Sequence, residues 1–567
     1  MSTYTDIAAS ATITTQLSAA MLPEDKRGAI YTRPWVVEIL LDLAGYDSAT
    51  NLVDTVAIEP AAGDGAFLLA MARRLVASCR RQGRSVLDCR NALIALEIEA
   101  TTAEDTRRAV RETLIESGLA IDEAAILSNA WIRTVDALLE LPMLPMADFV
   151  IGNPPYIRLE DVTNATMIRY RATYKTMTGR ADLYIPFFEA ALKQLKSGGV
   201  CAYICADRWM RNQYGAELRR LVTTAYGVET IVEMHRANVF TTEVSAYPAI
   251  VVIRKAEQGP VVVASAGPSV ETADSTALAR SITALRIERE PLPSIAGLGA
   301  TRVEKWFEGA DPWPCVSPER LALLKHLEES FYPLESAGTG TKVTIGVATG
   351  ADDIFIIADS ELVESGRLLP LAMARDIGSG QVHWSGRYLV NPWEGAGLVD
   401  LARYPRLGAY LTQHRERLSQ RHVGKKQPKH WYRTIDRVNA KLVGHPKLYI
   451  ADINNQLNPV LDSGKTYPHH NLYVVTSSGW DYEVLGGLLL SEIAQFFIEC
   501  YAVRMRGGYL RFQAQYLRRI RVPRPHDVTP TQAAGLRSAF RRRDRAKATA
   551  IALTVYGIRA LPEEALT

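Results

Sequence analysis

The chain has 567 residues, 47% of them apolar and 22% charged, with 65 basic and 62 acidic side chains giving a formal charge of +3. That length exceeds one ordinary core and predicts two to four domains, while the composition excludes a disordered chain. No stretch approaches the roughly 18 uninterrupted apolar residues of a membrane span, and no basic segment with an apolar core marks a secretory signal.

The first 27 residues read as a Ser/Thr/Ala-rich N-terminal extension. From 28 to 255, short β-rich runs alternate with longer helical stretches, which predicts an α/β domain with a mostly parallel sheet. Strands are expected at 55–59, 92–97, 149–151, 200–205, 230–234 and 249–254, and helices at 66–82, 102–117, 184–195 and 215–224. The closeness of the last two strands predicts an antiparallel hairpin at the sheet edge. Residues 256–300, rich in small residues with scattered prolines, read as a connection. Residues 301–567 read as a second domain of mixed α+β character.

The six cysteines form no CxxC pair and no zinc-ligand spacing, which argues against a disulfide framework or a metal site. His469-His470, the one adjacent histidine pair, reads as loop polarity. Between Arg403 and Lys447 there are twelve Lys/Arg against two acids. Such asymmetry predicts a polyanion partner for the later half. The chain is expected to be soluble and cytoplasmic.

The strand at 55–59 runs into Glu59-Pro60-Ala61-Ala62-Gly63-Asp64-Gly65 and then a helix. A Gly-x-Gly turn there lets a ligand approach the backbone at the carboxyl edge of the sheet. Glu59 would repel a phosphate but suits a cation such as the ammonium of a methionine moiety. S-adenosylmethionine, which is cationic and has no phosphates, fits that requirement. The next strand ends in Glu97, which could accept ribose hydroxyls, with Glu99 as its competitor. Asp136 could accept from an adenine amino group. Singly, each acid is as readily a solvated strand end; three in succession point to one ligand.

Asn153-Pro154-Pro155-Tyr156 follows an apolar strand. The prolines fix φ and hold Asn153 extended. Its amide oxygen and the Pro154 carbonyl, both acceptors, could bracket one amino group, favouring a pyramidal nitrogen whose lone pair points at an electrophilic methyl. Tyr156 offers a flat face for the ring that bears the amine. Alone, the motif reads as a turn closing a strand; behind a Gly-x-Gly turn and two acidic strand ends it reads as a site.

The chain resembles N6-adenine DNA methyltransferases of the gamma arrangement, the TaqI-like kind found in restriction-modification systems. The resemblance rests on Tyr31-Thr32-Arg33-Pro34, Glu59 to Gly65, Glu97, Asp136, Asn153 to Tyr156, Asp182-Leu183-Tyr184, Gly198-Gly199-Val200 and Val239-Phe240. It implies a Rossmann-like S-adenosylmethionine-dependent methyltransferase domain followed by a target-recognition domain. By the same resemblance Thr32, Glu59, Ala61, Gly63, Gly65, Glu97, Asp136 and Asn153 hold the cofactor. Asn153, Pro154, Pro155, Tyr156 and Phe240 form the catalytic set, with Phe240 pressing a flipped adenine opposite Tyr156 or packing along its edge. Arg33 between Thr32 and Pro34, and Ala206 where the family usually has proline, depart from the pattern.

Segments 343–357 and 485–523 look like the family's specificity region. Arg504, Arg506 and Arg511, together with Arg415, Lys425, Lys426 and Lys429, are expected to meet double-stranded DNA. About thirty residues before Tyr31 are too few for a fused nuclease; a separate cognate restriction endonuclease is a partner the sequence allows but does not reveal, and the enzyme is expected to be a monomer. The rival readings are methylation of RNA or of a protein glutamine, and a non-catalytic DNA-recognition subunit. The intact Gly63–Gly65 and Asn153–Tyr156 segments argue against the last.

Overall fold

The computed structural model describes residues 30–179, 181–242, 247–272, 274–289, 295, 297–314, 318–395, 397–502 and 509–562. These fall into two compact units, the first running to Pro318 and the second beginning at Glu319.

The first unit is built on nine strands: β1 (Ala57–Glu59), β2 (Leu93–Glu97), β3 (Ile132–Thr134), β4 (Ala147–Gly152), β5 (Leu195–Ala206), β6 (Gly227–Glu233), β7 (Pro248–Arg254), β8 (Val261–Ala266) and β9 (Leu298–Val303). Their order is β3-β2-β1-β4-β5-β7-β6-β8-β9. The first five run parallel, and β7 is antiparallel to both its neighbours. β1 and β7 are near-continuous apolar runs because helices cover both faces of such a sheet. Helix Ala66–Arg81 shows the complementary pattern: Phe67, Leu68, Met71, Leu75, Val76 and Cys79 are buried at helical spacing. Because β2 and β4 flank β1 on opposite sides, their connections diverge and leave a crevice at the carboxyl ends of these strands.

Three features differ from expectation. The β6–β7 pair is antiparallel but interior, since β8 pairs parallel to β6 and β9 closes the edge. The stretch expected as a connection, 256–300, carries β8, helix Ser275–Ile287 and the start of β9. The residues that read as linker, Gly259-Pro260 and Gly267-Pro268, bracket a buried strand, and Asp274 caps the helix by accepting from Thr276 and Ala277 N–H. The compact unit therefore extends past 255 to Pro318.

The second unit is mixed α+β. An antiparallel sheet takes Lys342–Ile345, Leu472–Thr476, Lys447–Ala451 and Val460–Asp462 in that order, and a second sheet takes Ile356–Ile357, Tyr388–Val390, Leu368–Ala372 and Tyr467–Pro468. Phe355, Leu371, Leu389, Tyr449 and Val474 lie in the shared core. Helices Tyr482–Leu490, Glu492–Tyr501, Pro530–Arg542 and Arg545–Tyr556 complete it. Among the described residues no single helix is long and apolar enough to cross a membrane.

Candidate active site

The parallel strands deliver their acids to one place. β1 and β2 pair in register, Glu59 opposite Ala95, so Glu59 and Glu97 emerge from the same edge. Gly63 and Gly65 both take positive φ, 51° and 85°, which spares the turn between β1 and its helix the strain a side chain would bring. Glu97 pins that turn: one carboxylate oxygen accepts from Gly63 N–H at 2.9 Å and the other from Glu99 N–H at 2.9 Å. The carboxylate facing the glycine turn is therefore that of Glu97, while Glu99 caps the next helix through its backbone.

Glu59 is 1% exposed and its Oε2 has no hydrogen-bond partner among the described residues. Burial pushes its carboxyl well above the usual range, and the nearby Asp64 and Glu97 push it further. Burial also raises Glu97 and Asp64. None of the three has an ion-pair partner among the described residues; Glu97 and Asp64 accept from backbone N–H groups, and Glu59 is left with an open oxygen. A buried, unpaired acid is costly and its natural complement is a cation. Asp136, at the end of β3, caps helix Ala137–Glu140 through Oδ1, and its Oδ2 accepts from the Tyr170 hydroxyl at 2.8 Å.

Asn153 follows β4 directly. Its Nδ2 donates to Ile30 carbonyl at 2.9 Å and to Thr32 Oγ1 at 3.1 Å, while Oδ1 is buried with no partner among the described residues. The amide is thus held from behind with its acceptor oxygen turned forward. Thr32 bridges Phe240, Arg33 N–H donates to Val239 carbonyl at 2.9 Å and Thr241 N–H to Tyr31 carbonyl at 3.0 Å. This short strap ties the chain's first described residues to the segment after β6. It carries Phe240 to Tyr156, with ring centroids 6.0 Å apart and planes at 78°, an edge-to-face contact. Tyr184 packs on Tyr156 from another side at 6.4 Å.

The structure thus gathers Thr32, Glu59, Gly63, Gly65, Glu97, Asp136, Asn153, Tyr156 and Phe240 along the carboxyl edge of the first unit's sheet. Sequence reasoning gave no role to Tyr31, whose ring would lie 3.6 Å from a Cβ on Gly63. Nor did it single out Tyr170 or Thr106, the latter donating to Gly63 carbonyl at 2.6 Å. All three are long-range contacts, and nothing local in the sequence marks them.

In the second unit, Arg415, Lys425, Lys426 and Lys429 are exposed and have no ion-pair partner among the described residues; Arg415 lies 5.4 Å over the Trp431 ring. Arg511 pairs with Asp452 at 3.3 Å. Other members of the basic block are spent on the fold. Arg421 donates to the carbonyls of Thr349, Trp431 and Arg433, and Lys447 is fully buried on Asp462 at 2.7 Å. Arg504 and Arg506 lie outside the described residues.

Comparison with known proteins agrees with this geometry. A family model for an Eco57I restriction-modification methylase matches residues 126–240, and one for a TaqI-like C-terminal specificity domain matches residues 375–522. The chain is 42% identical over 539 residues to the Type II methyltransferase M.PaeR7I of Pseudomonas aeruginosa, covering 94% of this chain and 92% of that one. It is 40% identical over 544 residues to the Type II methyltransferase M.XhoI of Xanthomonas vasicola, covering 94% and 98%. Among solved structures, the Type IIL restriction-modification enzyme MmeI in complex with DNA shares the fold, with a TM-score of 0.57 at 13% identity, over 94% of this chain and 74% of that one. The expected architecture, a Rossmann-like methyltransferase domain followed by a mixed α+β specificity domain, is the one observed, and the chain belongs to the Type II methyltransferases of restriction-modification systems.

Proposed function

We propose that this chain methylates N6 of adenine at a specific site in duplex DNA, using S-adenosylmethionine and a target base flipped out of the helix. The observation that carries this reading is the amide of Asn153: its donors are both engaged behind it, and its buried oxygen has no partner among the described residues. A forward acceptor next to an aromatic face suits an amino group on a planar ring. Asn153 Oδ1 and the Pro154 carbonyl accept the two amine protons, which directs the nitrogen lone pair out of the ring plane. Pro155 keeps this turn rigid. Tyr156 supports the ring face, and Phe240, standing at 78° to it, meets the ring's edge.

S-adenosylmethionine, when bound, supplies an electrophilic methyl group on a cationic sulfur. The acid pocket fits that ligand: the orphan oxygen of Glu59 takes the ammonium, Glu97 retains lone pairs for ribose hydroxyls, and Asp136 keeps acceptor capacity for the adenine amine. Gly63, Gly65 and Ala61 leave the backbone open to close approach, and Thr32 positions Asn153 at the cofactor side. No base of shifted pKa is needed, because the amine sheds its proton after methylation; positioning carries the chemistry. Extruding the base costs about a few kcal/mol, offset by backbone contacts from Arg415, Lys425, Lys426, Lys429 and the arginines near 504–511. By the same reading a cognate restriction endonuclease is the partner of this enzyme, in keeping with the restriction-modification methylase model that matches residues 126–240.

Incubation with methyl-labelled S-adenosylmethionine and DNA, RNA or protein, followed by nucleoside analysis, tests the reading. Label is expected in DNA as N6-methyladenine; its absence from DNA overturns the proposal. Asn153→Ala is expected to abolish transfer while DNA binding persists.

A further inference from the structure

Among the described residues two groups of metal-type ligands stand together, and they differ in what already satisfies them. Near the end of β5 and β6, Asp207, Glu233 and His235 bring one donor atom each within 4.8 Å of one another. There, however, Arg211 sits 3.0 Å from Asp207. Both ring nitrogens of His235 face carboxylates, Nδ1 at 2.7 Å from Glu233 and Nε2 at 3.2 Å from Asp207, the latter an ion-pair contact without hydrogen-bond alignment. The positive charge this cluster needs is present in Arg211 and the imidazolium.

The second group, in the second unit, is not so compensated. Asp352, His469 and His470 also place one donor atom each within 4.8 Å. No Lys or Arg pairs with Asp352 among the described residues. His469 is 3% exposed, its Nε2 lies 3.1 Å from Asp352 Oδ2, and its Nδ1 is buried with no partner among the described residues. The two imidazole centroids are 4.0 Å apart.

We propose that Asp352, His469 and His470 form a site for one divalent transition-metal ion of the zinc class. Two imidazoles and a carboxylate are borderline ligands suited to such an ion. With metal–ligand lengths of about 2.0–2.1 Å, tetrahedral donors sit about 3.3 Å apart, so the 3.1 Å edge between His469 and Asp352 is already at ligating separation. The backbone is preorganised. His469 N–H donates to Ala372 carbonyl, His470 N–H to Val347 carbonyl and Val347 N–H to Pro468 carbonyl, each at 3.0 Å. A Cβ on Gly346 would collide with the His469 carbonyl at 2.1 Å, so the close approach of these two loops requires glycine. Thr349 donates its hydroxyl to Asp352 Oδ1 and fixes the carboxylate, a supporting contact of the kind metal ligands use. Asp352 and His470 reach solvent, leaving a fourth position for water.

The test uses the full chain, stripped with a chelator, then titrated with Zn²⁺ alone by calorimetry and with Co²⁺ by visible absorption. One saturable ion per chain is expected, with the intense absorption of low-coordinate Co²⁺. His470→Ala removes an exposed side chain, so its melting in chelator is expected to match the wild type. It and Asp352→Asn should each weaken Zn²⁺ binding by at least about a hundredfold, the upper range for losing a mere supporting contact. His235→Gln should leave it unchanged. No saturable uptake by the wild type, uptake that survives the His470→Ala/Asp352→Asn double change, or loss on His235→Gln alone would each overturn the proposal.

Discussion

Replacing Glu59 by Gln should make the ligand-free protein more stable and the cofactor-bound protein weaker. Glu59 is 1% exposed, and its Oε2 has no partner; leaving a buried polar group unsatisfied costs about 1–3 kcal/mol, more when charged. An amide leaves a polar group in the same place but removes the charge, the part of the cost beyond that range; a relief of about 1–3 kcal/mol in a unit of this size is a melting-temperature rise of roughly 2–6 °C. The effect has a pH signature. The folded state raises this carboxyl well above 4.5, so the native protein binds the proton more tightly than the unfolded chain. The stability it contributes is fully present below about 4.5 and is lost as pH rises through the folded value. The gap between variant and wild type therefore opens above 4.5 and is constant once Glu59 is ionised in the native state. With S-adenosylmethionine the sign reverses: a hydrogen bond to a charged group is worth about 1.5–3 kcal/mol, so the variant should bind roughly 10–150-fold more weakly. Thermal melts across pH with and without ligand, with calorimetric affinities, measure both halves. A variant that melts below the wild type without ligand yet binds the cofactor equally well refutes the reasoning.

Three further outcomes follow from geometry. Tyr170→Phe removes the hydroxyl 2.8 Å from Asp136; a net hydrogen bond of about 0.5–1.5 kcal/mol should appear as a roughly 2–12-fold rise in the KM for cofactor with kcat unchanged, and a fall in kcat alone would show that Tyr170 does not act through Asp136. Asp207 and Glu233 raise His235 to about 9 against the opposing cost of burial, with Arg211, Arg208 and Tyr247 also around the cluster. Its stabilisation is fully present below 6.5 and lost as pH rises through about 9, so melts of wild type and His235→Gln should converge across that window, and parallel curves would contradict the assignment. Changing Lys425, Lys426 and Lys429 together to Ala should weaken DNA binding evenly across sequences and flatten the salt dependence by up to about three phosphate contacts, as read by titrations at several salt concentrations; a change confined to one DNA sequence would mark these lysines as base readers instead.

What was legible in the sequence was what lies close along the chain. β1, β2 and β4 to β7 are short apolar runs bounded by polar turns, and their centres were identifiable from pattern alone. β8 was not, because Gly259-Pro260 and Gly267-Pro268 carry the marks of a linker while serving as the two ends of a buried strand. β3 has three residues, one of them Arg133, too few for a period. At the site, Glu59 to Gly65 and Asn153 to Tyr156 are contiguous and so betray their chemistry. Tyr170 on Asp136 and Ile30 on Asn153 are 34 and 123 residues apart, and such pairings are decided by tertiary packing. Linear charge also misleads: Arg421 and Lys447 count toward the basic block yet face inward, leaving fewer cations for a partner than the count suggests.

The strap joining residues 30–33 to 239–241 has a mechanical consequence. Asn153 hangs from it by two hydrogen bonds and Phe240 is part of it, so the amide proposed to meet the amine and the ring proposed to meet the base share one mounting. A truncation or fusion junction that disturbs Ile30 or Thr32 would misalign both jaws of the site together, although neither residue stands near Asn153 or Phe240 along the chain. Engineered variants that retain Pro34 onward but lose the four residues before it should therefore fold around the same sheet and yet behave as if two distant positions of the proposed site had been changed at once.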